Sequence, residues 1–175
     1  MHRSLRGSGP RSVPILLSLL AGSVLVIATL RGPVWRSGSA ASLDAPPDRA
    51  ACPVCGMFVA RYPAWIARIV SDDGPTLYFD GCKDMFRYLA DPARYGAQQP
   101  ADRTAAVLVT SYYDQEAIEA REAFFVAGSD VLGPMGNELI PLRDLAEAEA
   151  FMDDHRGATI LRFGDVDAEV LASLR

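Results

Sequence analysis

The sequence predicts an α+β fold of two small ββαβ units packed together, preceded by an N-terminal apolar helix. Three observations point there. Short strand-like and helical segments alternate in a mixed order without long regular elements. The order strand–strand–helix–strand occurs twice, and each half alone is too small to bury a good core, so the halves should pack on one another. The first 40 residues, finally, have a composition of their own, with five arginines and no acid.

That leading segment comes first. Arg3, Arg6 and Arg11 precede the apolar run 13–30 (VPILLSLLAGSVLVIATL), and a basic stretch before an apolar core is the layout of a secretory signal. The run approaches the ~20 residues that span a bilayer. Residues 1–40 therefore read as an N-terminal membrane anchor, with a cleaved signal as the alternative, since the small residues 37–42 (SGSAAS) would permit cleavage. No cysteine follows the run closely, so no lipoprotein processing site is evident. The arginines favour a cytoplasmic N-terminus and leave the body outside.

The charge is divided accordingly. The 175 residues carry a net −5, but residues 41–175 hold 12 Lys and Arg against 22 Asp and Glu, a net −10. An acidic body makes nucleic acid an unsuitable partner, because phosphate binding needs clustered Lys and Arg. With only His2 in the leader and His155 alone in the body, a zinc enzyme built on histidine is excluded.

Residues 41–50 form a linker stiffened by the prolines of 43–49 (LDAPPDR). The first unit is expected over 51–111. Strands at 64–70 (AWIARIV) and 75–79 (PTLYF) flank the turn Asp72-Asp73-Gly74. A helix follows from about 82 to 90, where Cys82, Met85, Phe86 and Leu89 make one apolar stripe. Asp91-Pro92 ends it, and 105–111 (AAVLVTS) is a third strand. The second unit, 112–175, begins with a connection up to residue 122. Strands are expected at 123–127 (AFFVA) and 138–142 (ELIPL), the latter at a sheet edge because of Pro141. A helix over 144–154 carries Leu145, Ala148 and Met152, with Gly157 as its stop. Residues 159–163 (TILRF) form the last strand, before a short helix around 167–174.

Chemistry concentrates in sulfur. Cys52-Pro53-Val54-Cys55-Gly56-Met57 places two thiols and a thioether within six residues, and Gly56 permits the turn that lets them converge. Gly133-Pro134-Met135-Gly136 presents another thioether on a tight loop. Soft thiolate and thioether donors select Cu(I). The alternatives are a Cys52–Cys55 disulfide outside the cytoplasm, a structural zinc site, which falls short of four ligands, and a thioredoxin-like pair, whose CxxC would cap a helix after a strand. Cys82, Met85 and Met152 read as core, although Cys82 and Met85 could join a soft site if the helix N-terminus faces the CxxC. Trp65, Tyr112, Tyr113 and Asp114 read as packing and turn residues, and His155 as a solvated helix terminus. No nucleophile–base pair, phosphate loop or carboxylate dyad emerges, so a non-enzyme is expected.

Together these motifs resemble the NosL family, accessory proteins of nitrous oxide reductase. The resemblance covers most of 50–165 and rests on residues 52–57 (CPVCGM), Tyr62-Pro63-Ala64-Trp65, 78–89 (YFDGCKDMFRYL), 123–129 (AFFVAGS), Pro134-Met135-Gly136 and the tail 148–163. It implies two similar ββαβ units related to the organomercurial lyase fold. It also implies a membrane-attached Cu(I) chaperone on the periplasmic face, serving the four-copper sulfide centre of nitrous oxide reductase with an ABC-type maturation transporter. By resemblance the copper ligands are Cys55 and Met57 of the CGM motif and Met135 of the PMG motif, with Cys52 a further candidate. Many family members are lipoproteins, whereas this chain starts with an apolar helix or cleavable signal.

Residues 50–96 also resemble a YHS/TRASH-type metal-binding domain, through residues 52–57 (CPVCGM), Tyr78-Phe79, Cys82, Asp91-Pro92 and Tyr95. That module leaves the Met135 loop and the second half unexplained. An enzyme alternative, processing disulfides or organomercurials through Cys55, and a structural disulfide domain complete the expectations.

Overall fold

The chain enters the described region, residues 45–72, 75–96 and 104–174 of the computed structural model, as an irregular segment. The expected leader and its apolar helix lie outside the described residues, as does part of the turn expected at 72–74. Among the described residues no helix is long and apolar enough to cross a membrane. Ala51 bridges Phe58, and two 3-10 turns follow, Val59–Arg61 and Pro63–Trp65. Pro63 has no N–H to give a ladder, so the strand expected from residue 64 begins only at β1 (Ala67–Ser71).

β1 pairs antiparallel with β2 (Leu77–Phe79), with Ala67 opposite Phe79. Helix α1 (Cys82–Ala90) ends at Asp91 as its Pro92 dictates. Strand β3 (Thr104–Thr110) returns along the other side of β1, with Ala67 opposite Val109. The connection expected up to residue 122 contains one more strand, β4 (Ala117–Glu119), which pairs with β3. The first sheet thus has the order β2-β1-β3-β4.

Strand β5 (Phe124–Ala127) opens the second sheet. A small hairpin, β6 (Leu132–Gly133) and β7 (Gly136–Asn137), carries Pro134 and Met135 at its turn. Strand β8 (Ile140–Leu142), helix α2 (Leu145–Asp154), strand β9 (Thr159–Arg162) and helix α3 (Ala168–Ser173) complete the chain. The strand expected from residue 138 starts at Ile140, because Glu138 is turned inward to accept from Lys83 N and Leu139 N. The order β8-β5-β9 is antiparallel throughout and puts Pro141 on an edge strand, as expected. In both sheets the opening strand is central, the next lies on one side, and the strand after the helix lies on the other.

Packing explains the sequence patterns. Helix α1 rests on β1 and β2 and sends Phe86 edge-on to Phe125 of β5, with ring centroids 5.2 Å apart. One apolar core therefore runs from Phe79, Val107 and Val109 through Met85 to Phe125 and Leu139. A second cluster, Val126, Ile140, Leu142, Ala148 and Phe151, lies between the second sheet and α2. Side chains alternate along a strand, so β5 gives Phe125 and Ala127 to one cluster and Val126 to the other. A strand covered on both faces reads as an unbroken apolar run. Burying Phe125 or Phe151 completely contributes about 1.5–3 kcal/mol each.

Helix α2 begins at Asp144, whose side chain accepts from Glu147 N at 2.9 Å. Its end differs from expectation. Arg156, not Gly157, adopts the left-handed conformation (φ 56°), and Gly157 N donates to Met152 O at 2.9 Å, the pattern of a Schellman cap. Gly157 is required instead by close approach, since a Cβ there would stand 2.4 Å from Val126 Cγ1.

Candidate metal centre

The CxxC loop folds back on itself. Gly56 takes φ 80°, Gly56 N donates to Cys52 O and Cys52 N to Met57 O, both at 2.8 Å. These bonds bring the two cysteines to one side of the loop, opposite the start of α1. Both are free thiols, Cys52 buried and Cys55 half-buried. The Cys55 thiol donates to Asp80 Oδ1 at 3.2 Å, and the Cys52 thiol to Asp84 Oδ2 at 3.6 Å. Asp80 lies just before α1 and Asp84 in its first turn, and both are buried. One ligand atom from each of the four residues lies within 4.8 Å of all the others, close enough for one ion to be shared.

The cluster is rich in buried acceptors and poor in donors. Asp80 Oδ2 is buried and accepts no hydrogen bond, an arrangement that costs about 1–3 kcal/mol. Arg87 pairs with Asp84 at 3.0 Å and so offsets one of the two acids. Burial pushes the Cys52 thiol up to about 11, with Asp80 adding to the effect. The Cys55 thiol is raised further, again chiefly by burial, then by its bonds to Asp80 and Cys52. Both thiols are therefore protonated at neutral pH, and a metal ion must displace protons to bind them.

The structure brings Cys52 and Cys55 together, as the spacing predicted. It fixes the main chain of each methionine separately, Met57 within the CxxC loop and Met135 against the first turn of α1. Met57, half-buried, accepts from Cys52 N by its carbonyl. Met135 is 47 % exposed at the tip of the β6–β7 hairpin, and its carbonyl accepts from Lys83 Nζ at 2.9 Å. The N-terminus of α1 does face the CxxC, but through Asp80 and Asp84. Cys82 and Met85 lie inside the main core, as their helical stripe predicted. Met152 packs on the second cluster, with Trp65 and Tyr112. His155 ends α2, yet its ring stacks on Phe151 at 4.4 Å and pairs with Asp130 at 3.3 Å, so it is packed rather than simply solvated. Sequence reasoning missed Asp80 and Asp84. Their signal was a pair of acids four apart across a helix start, which in sequence looks like an ordinary polar helix face.

A cleft of about 440 Å³ borders the loop at Val54 and is lined by Arg87, Arg94, Tyr95 and Leu171.

A family model described as NosL matches residues 45–171. Among solved structures, the crystal structure of the copper chaperone NosL from Shewanella denitrificans is 24% identical with a TM-score of 0.59, the match covering 70% of this chain and 93% of that one. The solution NMR structure of the apo-NosL protein from Achromobacter cycloclastes is 26% identical with a TM-score of 0.43, covering 60% and 87%. No curated protein matches.

Proposed function

The chain belongs to the NosL family, and from that premise we propose that it is a copper chaperone whose cargo is Cu(I). The observation that carries this reading is the cluster at the start of α1, two free thiols converging beside a buried carboxylate oxygen that has no partner. Thiolate and thioether sulfur select Cu(I) over harder ions. The structural neighbour from Shewanella denitrificans is a copper chaperone, and the same cargo is proposed here on the strength of this chain's own donors.

Charge balance favours a particular ligand set. Two carboxylates already face the thiols, and only Asp84 has a cationic partner, Arg87. Ionising both thiols would add two further negative charges for one monovalent cation. A single thiolate, placed at Cys55 by the family resemblance and completed by the neutral thioethers of Met57 and Met135, avoids that repulsion. Cys52, deeper and hydrogen-bonded to Asp84, serves as a protonated neighbour or a fourth donor. The raised Cys55 thiol suits a carrier better than a nucleophile, which needs a lowered one.

We propose further that the chain works on the periplasmic face of the cytoplasmic membrane, attached by residues 1–40 or released after their cleavage. Its recipient is the copper–sulfide centre of nitrous oxide reductase, reached with an ABC-type maturation transporter. The sheet order shared by the two halves supports an internal duplication, and a relation to the organomercurial lyase fold is part of the same proposal. The test is an anaerobic Cu(I) titration against a competing chelator. Stoichiometric binding is expected, lost in Cys55→Ser and weakened about tenfold or more in Met57→Leu and Met135→Leu. Wild-type affinity in all three variants would refute the ligand set. Adding copper-free nitrous oxide reductase with its maturation partners then tests delivery.

A further inference from the structure

Lys83 lies in the first turn of α1, between Cys82 and Asp84, and is only 2 % exposed. A lysine that deep is rare unless its ammonium is fully bonded. Here the three protons meet three main-chain carbonyls, Met135 O at 2.9 Å, Asn137 O at 2.5 Å and Leu174 O at 3.4 Å. Two of the three belong to the β6–β7 hairpin, on either side of its turn glycine, Gly136. The main chain of the same residue makes a second link, Lys83 N donating to Glu138 Oε1 at 2.5 Å just beyond the hairpin. Gly81 and Gly133 leave room for that carboxyl: a Cβ on Gly81 would stand 2.2 Å from Glu138 Oε2, and one on Gly133 3.1 Å from Glu138 Cγ.

This hairpin has two-residue strands, too short to hold a position by their own ladder. What places it is the tether to α1. The tether grips carbonyls and leaves the Met135 side chain half exposed. Asp80, just before the helix, and Asp84, next to Lys83 in its first turn, hold the thiols of Cys55 and Cys52. One helical turn therefore holds both sulfur-bearing loops by separate sets of bonds.

We propose that Lys83 is a positioning residue for Met135: its buried ammonium pins the hairpin so that the thioether is presented to Cu(I) held at Cys55. The inference rests on the reading of Met135 as a ligand. Outer-shell groups that orient a ligand are worth about 10–100-fold in metal affinity.

The experiment uses the full chain and four forms: wild type, Lys83→Met, Met135→Leu and the double variant. Cu(I) affinity is measured anaerobically by chelator competition, and sulfur coordination by X-ray absorption at the copper edge. Lys83→Met is expected to weaken Cu(I) about as much as Met135→Leu and to lower the sulfur count by one. In the Met135→Leu background it should then change nothing. If Met135→Leu weakens binding and Lys83→Met does not, the positioning role is overturned while the ligand reading stands. Equal losses from Lys83→Met with and without Met135 would make Lys83 merely structural and overturn the role too. An inert Met135→Leu overturns the ligand reading and the inference with it. Should Lys83→Met fail to fold, Lys83→Gln, whose shorter amide cannot serve all three carbonyls, is read against the same outcomes.

Discussion

At the scale of single residues, polar groups buried around the start of α1 shape the site and make the stability of the fold depend on pH. Glu138 is 3 % exposed, and burial lifts its carboxyl from 4.5 to about 7 against the opposing pull of the Leu139 and Lys83 N–H groups and the Lys83 charge. An acid raised in the folded state holds its proton more tightly there than in the unfolded chain. Its contribution to stability is therefore complete below about 4.5 and is lost as pH rises through about 7. The shift corresponds to a loss on the order of 3 kcal/mol. Glu138→Gln keeps an acceptor for both N–H groups without titrating. The stability gap between wild type and this variant, followed by thermal unfolding, should move in favour of the variant from about pH 5 to 8. A gap that stays constant across that range would show that Glu138 does not change charge there. Nothing in the sequence marked this glutamate, because burial of a charged side chain is a property of what packs over it.

Among the elements, α1 was legible to the residue. Its apolar stripe and the Asp91-Pro92 stop are local signals, and the observed helix has the expected ends. Strand β4 was not legible, since three residues with one fully inward side chain, Ile118, offer no periodicity to read. The tight loop around Met135 was read, but the two-residue strands β6 and β7 escaped for the same reason, and the hairpin's position depends on Lys83, some 50 residues away in sequence. The end of α2 was half read: a stop belongs there, but the residues divide the work differently. Gly157→Ala should destabilise the protein by about 1–3 kcal/mol, because a Cβ at 2.4 Å from Val126 forces the sheet and helix apart. Arg156→Gly should leave stability unchanged or raise it by up to about 1 kcal/mol, by relieving the left-handed strain. Urea unfolding of the two variants checks both signs, and the opposite pair of results would return the conformational role to Gly157.

In the molecule as a whole, the main core contains residues of both sheets, with α1 between them. Neither half keeps its apolar face covered without the other. Unfolding should therefore be a single cooperative transition, with far-UV circular dichroism and tryptophan fluorescence superimposing in urea. Two separated transitions would show that the halves are independent. The sequence by itself determined the repeated order of the main strands and helices, the acidic body behind a basic N-terminal segment, and a supply of sulfur donors richer than that of histidine, all of which follow from composition and short-range periodicity. Tertiary structure alone decided that Asp80 and Asp84 meet the thiols, and that a buried lysine holds the Met135 loop. Those contacts join segments far apart in the chain, where the energy lies in desolvation and hydrogen bonding that no local pattern encodes.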